Sequence, residues 1–196
     1  MAKDTKSRIL ESALELFSKN GYAGTNIREL SASQGLGKSS LYRHFESKEE
    51  VWNSILDEME AYYDEKFGSS KNPPAIPQTA EEFKKIVLQM FSFTIHDKKI
   101  VMCRKILLTE QFRDENVCRL ATKHFNFALE NIFSEYFEEM MKNGLLKKGN
   151  SEMLAFAFTA PITSLVHLCD REPEMEAYAV TKAEKFVDYF INENFA

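Results

Sequence analysis

Residues 25–48, TNIRELSASQGLGKSSLYRHFESK, hold two short helical patterns separated by a tight turn. Asn26 is a good N-cap, and Glu29 stands three residues on, where its carboxylate can reach back to the cap's own backbone amide. Thr25 is an equally acceptable cap. Ile27, Leu30 and Ser31 fall at the i, i+3, i+4 spacing of one buried stripe, while Arg28, Glu29 and Gln34 point elsewhere. This short amphipathic helix should stop near Gln34, because Gly35 adopts the left-handed conformation that closes a helix at little steric cost. Leu36 plugs the junction and Gly37 is a permissible N-cap. Residues 38–44, KSSLYRH, then make about two turns before Phe45. Helix, glycine turn and helix together are the helix-turn-helix pattern.

In the second of these helices Leu41 and Phe45 stand four apart and can anchor one face to a core. Lys38, Ser39, Ser40, Tyr42 and Arg43 divide the remaining surface, which is short, polar and cationic. Small hydroxyls at a helix start let the backbone approach base edges in the major groove, and Lys, Tyr and Arg reach phosphates or bases. The plainer alternative, a solvated helix in an ordinary bundle, does not account for spacing, turn and composition together.

Residues 17–52, FSKNGYAGTNIRELSASQGLGKSSLYRHFESKEEVW, resemble the DNA-binding domain of the TetR family of bacterial transcriptional repressors. The resemblance rests on a set of motifs: Phe17 with Gly21 and Tyr22, then Thr25, the Ile27 and Leu30 pair, Gly35, and Leu41-Tyr42-Arg43-His44-Phe45 followed by Lys48-Glu49. It implies a three-helix DNA head fused to a larger helical domain that dimerises and holds a small-molecule pocket. Carried onto matching positions, it makes Thr25, Tyr42, His44 and Lys48 phosphate contacts and turns Lys38, Ser39 and Ser40 toward bases. The chain departs from the family at Gly37, where Ser or Thr is frequent, and at Ser31 and Gln34, where Ala is frequent. Gly37 removes a possible hydroxyl contact at the recognition helix start.

Bulk composition agrees with this reading without dictating it. At 196 residues and 44% hydrophobic, the chain is long enough for one sizeable core or two small ones. Glycine and proline are few, strand signals are scarce, and Leu, Met, Glu, Lys and Phe recur in long helical patterns. The expected class is all-α, with about nine helices. The net charge of −5 seems to argue against a polyanionic partner until its distribution is considered. Residues 1–48 carry eight Lys or Arg against five Asp or Glu, a net +3, which leaves −8 on residues 49–196. The positive part coincides with the expected DNA reader. The expected domains are therefore a DNA-binding head over 1–48 and a regulatory and dimerisation body over 49–196.

The N-terminal residues do not read as a secretory signal, and 154–169 is interrupted by Thr159, Pro161, Thr163, Ser164 and His167. That run reads as too short and polar to span a bilayer. No membrane association and a cytoplasmic location are expected. Cys103, Cys118 and Cys169 are odd in number and widely spaced, so neither a disulfide framework nor a zinc site is signalled. No metal and no cofactor are expected. Nucleophile elbow, phosphate-cradling glycine loop and zinc-protease motif are all missing from the sequence, which argues against an enzyme.

Along the chain, the first helix should run from Asp4 or Thr5 to Asn20, with Ile9, Leu10, Ala13, Leu16 and Phe17 buried. Ser47-Lys48-Glu49-Glu50 is a capping box that opens a helix toward Phe67, and its amides and Lys48 can receive a phosphate. Residues 68–77 are a proline-rich turn. Further helices are expected over 79–96, 98–112 and 114–142, then an antiparallel pair over 151–171 and 173–194. On the last helix the apolar arc is broader than one core requires, so part of it should face a second copy of the chain. Phe158, Ile162, Leu165, Ala179, Ala183, Phe186, Val187 and Phe190 are the expected homodimer interface. For a small-molecule effector, Tyr62, Phe91, His96, Cys103, His124, Phe125 and His167 are the candidate pocket residues. The expected partners are a double-stranded DNA operator, a second copy and an unknown effector. The rival reading is a helical adaptor that meets protein rather than DNA.

Overall fold

The computed structural model describes residues 5–32, 35, 41–68 and 75–196; the expectations placed on Gln34, Leu36, Gly37, Lys38, Ser39 and Ser40 lie outside them. The architecture is all-α, and one isolated antiparallel bridge joins Leu146 to Phe195. Helix α1 (Thr5–Gly24) buries Ile9, Leu10, Ala13, Leu14 and Phe17. Leu14 takes the place expected of Leu16, which is half-buried. Gly21, with φ of 70°, breaks α1 directly after Asn20, where a glycine was expected to end it.

Helix α2 (Ile27–Ala32) is closed at its start by the reciprocal cap that its sequence suggests. Asn26 Oδ1 accepts from the amides of Arg28 and Glu29 at 2.9 and 3.0 Å, and Glu29 Oε2 accepts from Asn26 N at 3.2 Å. Gly35 follows with φ of 62°. Helix α3 (Lys48–Phe67) opens on Ser47, whose hydroxyl accepts from Glu50 N at 3.0 Å. The Glu50 carboxylate reaches Glu46 N, one residue earlier than the expected capping box would place it.

The remaining elements are α4 (Ala80–His96), α5 (Lys98–Glu110), α6 (Glu115–Thr122), a π-helical turn (Lys123–Phe127), α7 (Ala128–Lys142), α8 (Ser151–Arg171), a 3-10 turn (Pro173–Met175) and α9 (Glu176–Asn194). The single helix expected over 114–142 is thus broken by the π turn. At about 100° per residue, Val117, Leu120 and Ala121 would face nearly opposite to Phe133, Tyr136, Phe137 and Met140 on one regular helix. Both sets are buried, in different parts of the molecule, and the π turn lies between them.

Compactness divides the chain into Met1–Ser69 with Met102–Ala121, and Ser70–Val101 with Thr122–Ala196. This differs from the split expected at residue 48, because α3, α6 and most of α5 belong with the N-terminal helices. In the first unit the Phe17 ring meets Trp52 edge-on at 5.0 Å and Tyr22 at 5.9 Å. In the second, Phe83, Phe133, Phe137, Phe158 and Phe190 form a ring cluster with Val87 and Val187. A separate cluster gathers Phe91, Ile162, Val166, Ala179 and Ala183.

These two clusters correct the expected dimer interface. Phe158, Val187 and Phe190 belong to the first cluster and Ile162, Ala179 and Ala183 to the second, all buried within their own unit. Leu165 and Phe186 are half-buried against them. The buried part of the apolar arc of α9 is broad because that helix serves two internal clusters. Met153, Phe156, Ala157, Ala160, Pro161 and Ser164 instead form an exposed stripe on the opposite side of α8. Helix α8 is also long and apolar enough, by length and composition, to cross a membrane, contrary to expectation. Only 28% of its most apolar window is buried, so the chain itself covers the smaller part of that helix.

Candidate nucleic-acid interface

Leu41 is fully buried and Phe45 is 1% exposed, so both anchor residues of the recognition segment sit in the core as their spacing requires. The amides of His44 and Phe45 donate to Leu41 O at 2.9 and 3.1 Å, which keeps 41–45 in a helical turn. With those anchors inward, Tyr42 and Arg43 are exposed and His44 is half-buried. A phenol and a guanidinium on a turn held by those bonds suit phosphate oxygens and base edges.

Lys48 is the first residue of α3, and its Nζ lies 4.1 Å from the centre of the Tyr22 ring. Burial pushes its proton affinity below that of an ordinary lysine, and the nearby Glu110 carboxylate opposes the shift. The Tyr22 hydroxyl is pushed up by burial first, then by the charges of Glu49 and Asp114. Thr25 is corrected: its side chain is 1% exposed and its hydroxyl donates to Gly21 O at 2.9 Å. It shapes the turn before α2 and does not present itself to a phosphate.

Sequence reasoning missed the turn between α5 and α6. The Glu110 carboxylate is buried and accepts from Tyr22 N at 3.2 Å, across 88 residues of chain. Asp114 Oδ2 accepts from Trp52 Nε1 at 2.9 Å, while its Oδ1 caps α6 by accepting from Asn116 N and Val117 N at 2.9 and 3.1 Å. The capping half was readable from Asp114 preceding a helix. Nothing local signalled Glu110, whose partner is set by tertiary packing.

The candidate effector residues divide between the two units. In the first unit Cys103 is fully buried and Tyr62 is half-buried, with Lys66 Nζ 5.2 Å from its ring centre. In the second, Phe125 meets His167 edge-on at 5.2 Å, with His124 beside it in the π turn, and Phe91 lies within the smaller apolar cluster. His96 is corrected: it is exposed, with Nε2 3.1 Å from Glu176 Oε1 and Nδ1 2.8 Å from Ser92 O. It joins two helices at the surface. A polar cleft of about 160 Å³ in the first unit is lined by Asn53, Asp57 and Glu60 of α3 and Arg119 of α6, and it includes none of the expected effector residues.

Residues 9–55 match the family described as bacterial regulatory proteins, tetR family. IcaR of Staphylococcus epidermidis, a negative transcriptional regulator of the biofilm operon icaADBC, is 36% identical over 58 residues, covering 30% of this chain and 31% of IcaR. YerO of Bacillus subtilis, an HTH-type transcriptional regulator, is 32% identical over 117 residues, covering 58% of this chain and 38% of YerO. The chain thus spans only about a third of the length of either relative. The likeness in fold extends further. SmeT, the repressor of the Stenotrophomonas maltophilia multidrug efflux pump SmeDEF, matches in its triclosan complex with a TM-score of 0.74 at 16% identity, covering 99% of this chain and 93% of SmeT.

Proposed function

The chain belongs to the TetR family of bacterial regulatory proteins through its residues 9–55, and from that premise we propose that it is a DNA-binding transcriptional regulator working as a homodimer. The observation that carries the reading is the exposed Tyr42-Arg43 pair, set on a turn anchored by buried Leu41 and Phe45 within a head of net charge +3. Lys38, Ser39 and Ser40 supply the base-facing groups, and His44 and Lys48 join Tyr42 at phosphates. A single short recognition helix makes few base contacts, each discriminating by about 1–3 kcal/mol. Two copies double the number and call for a palindromic operator whose half-sites lie about 34–36 Å apart.

The second copy docks on the outward stripe of α8, led by Met153 and Phe156, with Tyr178 and Tyr189 of α9 as further apolar surface; these four residues are 52–62% exposed. An exposed apolar stripe of this kind marks an interaction surface. Regulation is release from the operator by a small hydrophobic ligand. The triclosan complex of SmeT and the aromatic wealth of the second unit support that choice. A ligand that favours the non-binding arrangement must, by linkage, be weakened by DNA.

Titration of a labelled mixed-sequence duplex at stepped salt tests the reading. A regulator binds with an affinity that falls steeply as salt rises. Failure to bind at low ionic strength would leave the adaptor reading in its place.

A further inference from the structure

We propose that Glu110 and Asp114, on the turn joining α5 to α6, are positioning residues for DNA binding: they fasten Tyr22, Lys48 and Trp52 in the arrangement that presents the head to phosphate. The proposal rests on the DNA-binding reading and assigns it residues far outside the helix-turn-helix.

The turn is itself well defined, since Arg113 N and Asp114 N both donate to Glu110 O, at 2.8 and 3.1 Å. It carries two carboxylates with different tasks. Glu110 is 4% exposed, and Arg113 Nη1 lies 3.9 Å from its Oε1 on a side chain that is 72% exposed. Burying a carboxylate is costly unless its oxygens are engaged. Here the engagement is with the Tyr22 amide, the first backbone donor after α1 breaks. The break is fitted to the acid: a Cβ on Gly21 would stand 2.4 Å from Glu110 Oε1, and the residue's φ of 70° already favours glycine. Gly21 therefore serves two ends, turning the chain and admitting the carboxylate.

The same carboxylate acts on Lys48. Its charge opposes the loss of proton affinity that burial imposes on that ammonium, and the ammonium lies over the ring of Tyr22, whose amide Glu110 holds. Trp52 completes the assembly, 5.1 Å from the Tyr22 ring and bonded to Asp114. Because Asp114 uses its other oxygen to cap α6, the start of α6 and the indole of α3 are tied to one side chain. Simple bulk packing would not need a buried charge here. Control of where Lys48 and the α1–α2 turn stand would.

Trp52 is the sole tryptophan, so its emission reports this assembly directly. The test compares wild type with Glu110→Ala, Glu110→Gln and Asp114→Asn in the full chain, by Trp52 emission without DNA and by anisotropy titration of a mixed-sequence duplex of about three helical turns. Circular dichroism checks folding. Glu110→Ala should weaken duplex binding about tenfold, whereas Glu110→Gln, which keeps an acceptor for the Tyr22 amide, should stay within about threefold of wild type. Asp114→Asn retains the α6 cap but can turn an amide donor toward the indole N–H, so it should shift Trp52 emission and weaken binding severalfold.

Unchanged affinity in Glu110→Ala overturns the proposal, and so does a loss in Glu110→Gln as deep as in Glu110→Ala. Should Glu110→Ala fail to fold, Asp114→Asn decides: wild-type emission and affinity would overturn it. Wild type that binds no duplex would instead refute the functional reading, while Trp52 emission in the variants would still report whether the fastening exists.

Discussion

Around Tyr42 and Arg43 the first unit turns polar and cationic groups outward over buried Leu41 and Phe45, whereas in the second unit α8 turns Met153 and Phe156 outward over buried Phe158 and Ile162. Both are amphipathic helical surfaces anchored by two large side chains one helical turn apart. They differ only in what is left outside. A cationic remainder has phosphate as its natural complement, and an apolar remainder has another apolar face. The same folding rule, one stripe inward, thus yields two surfaces for two different partners, and the outward residues, not the buried ones, choose between them.

The largest expected effect lies beneath the apolar surface. Phe158 is 1% exposed and packs on the rings of Phe83, Phe133 and Phe190 at 5.4, 4.9 and 4.6 Å. Phe158→Ala should cost about 3–5 kcal/mol in denaturant unfolding. A variant that lost its partner but kept wild-type stability would return Phe158 to the interface and break the comparison. On the outer side, Phe156→Glu should leave the helical signal intact and weaken self-association by about thirtyfold or more in sedimentation equilibrium. Unaltered association would mean that α8 does not carry the second copy. On the cationic surface, Lys48→Ala should weaken duplex binding uniformly across sequences and reduce the salt slope by about 1. An unchanged slope would place the Lys48 ammonium with Tyr22 and Glu110 alone.

What the sequence made legible was whatever is decided within a turn or two of helix. Asn26 with Glu29, Gly35, Leu41 with Phe45, and Ser47 with Glu50 are local arrangements, and the structure shows each pair or turn in place or nearly so. Errors came where a helix answers to more than one neighbour. The arc on α9 reads as one core plus one interface, yet its buried residues divide between two internal clusters. The run over 114–142 reads as one helix, and the structure puts the π turn where the buried face changes. His96 carries a pocket-like side chain but stands exposed beside Glu176. Glu110 carried no local signal, because its role comes from a glycine break 89 positions earlier, and spacing along the chain does not encode that proximity.

The smallest effect sharpens the comparison most, because it applies one chemistry to both regions. Asn26 caps α2 through bonds to Arg28 N and Glu29 N, and Asn150 caps α8 through a 2.9 Å bond to Met153 N. Replacing either by Ala should cost about 1 kcal/mol of stability, as the loss of an N-cap usually does. Their consequences for DNA should part. Helix α2 has 6 residues, so fraying its first turn reaches Leu30, Ser31 and the glycine turn that leads to the recognition segment. Helix α8 has 21 residues and keeps its interior when its first turn loosens. Asn26→Ala should therefore weaken duplex binding severalfold while Asn150→Ala leaves it within about twofold of wild type, although both melt about equally early. Equal losses of DNA affinity would mean that stability alone sets binding, and that the first unit's surface owes nothing special to the order of its short helix.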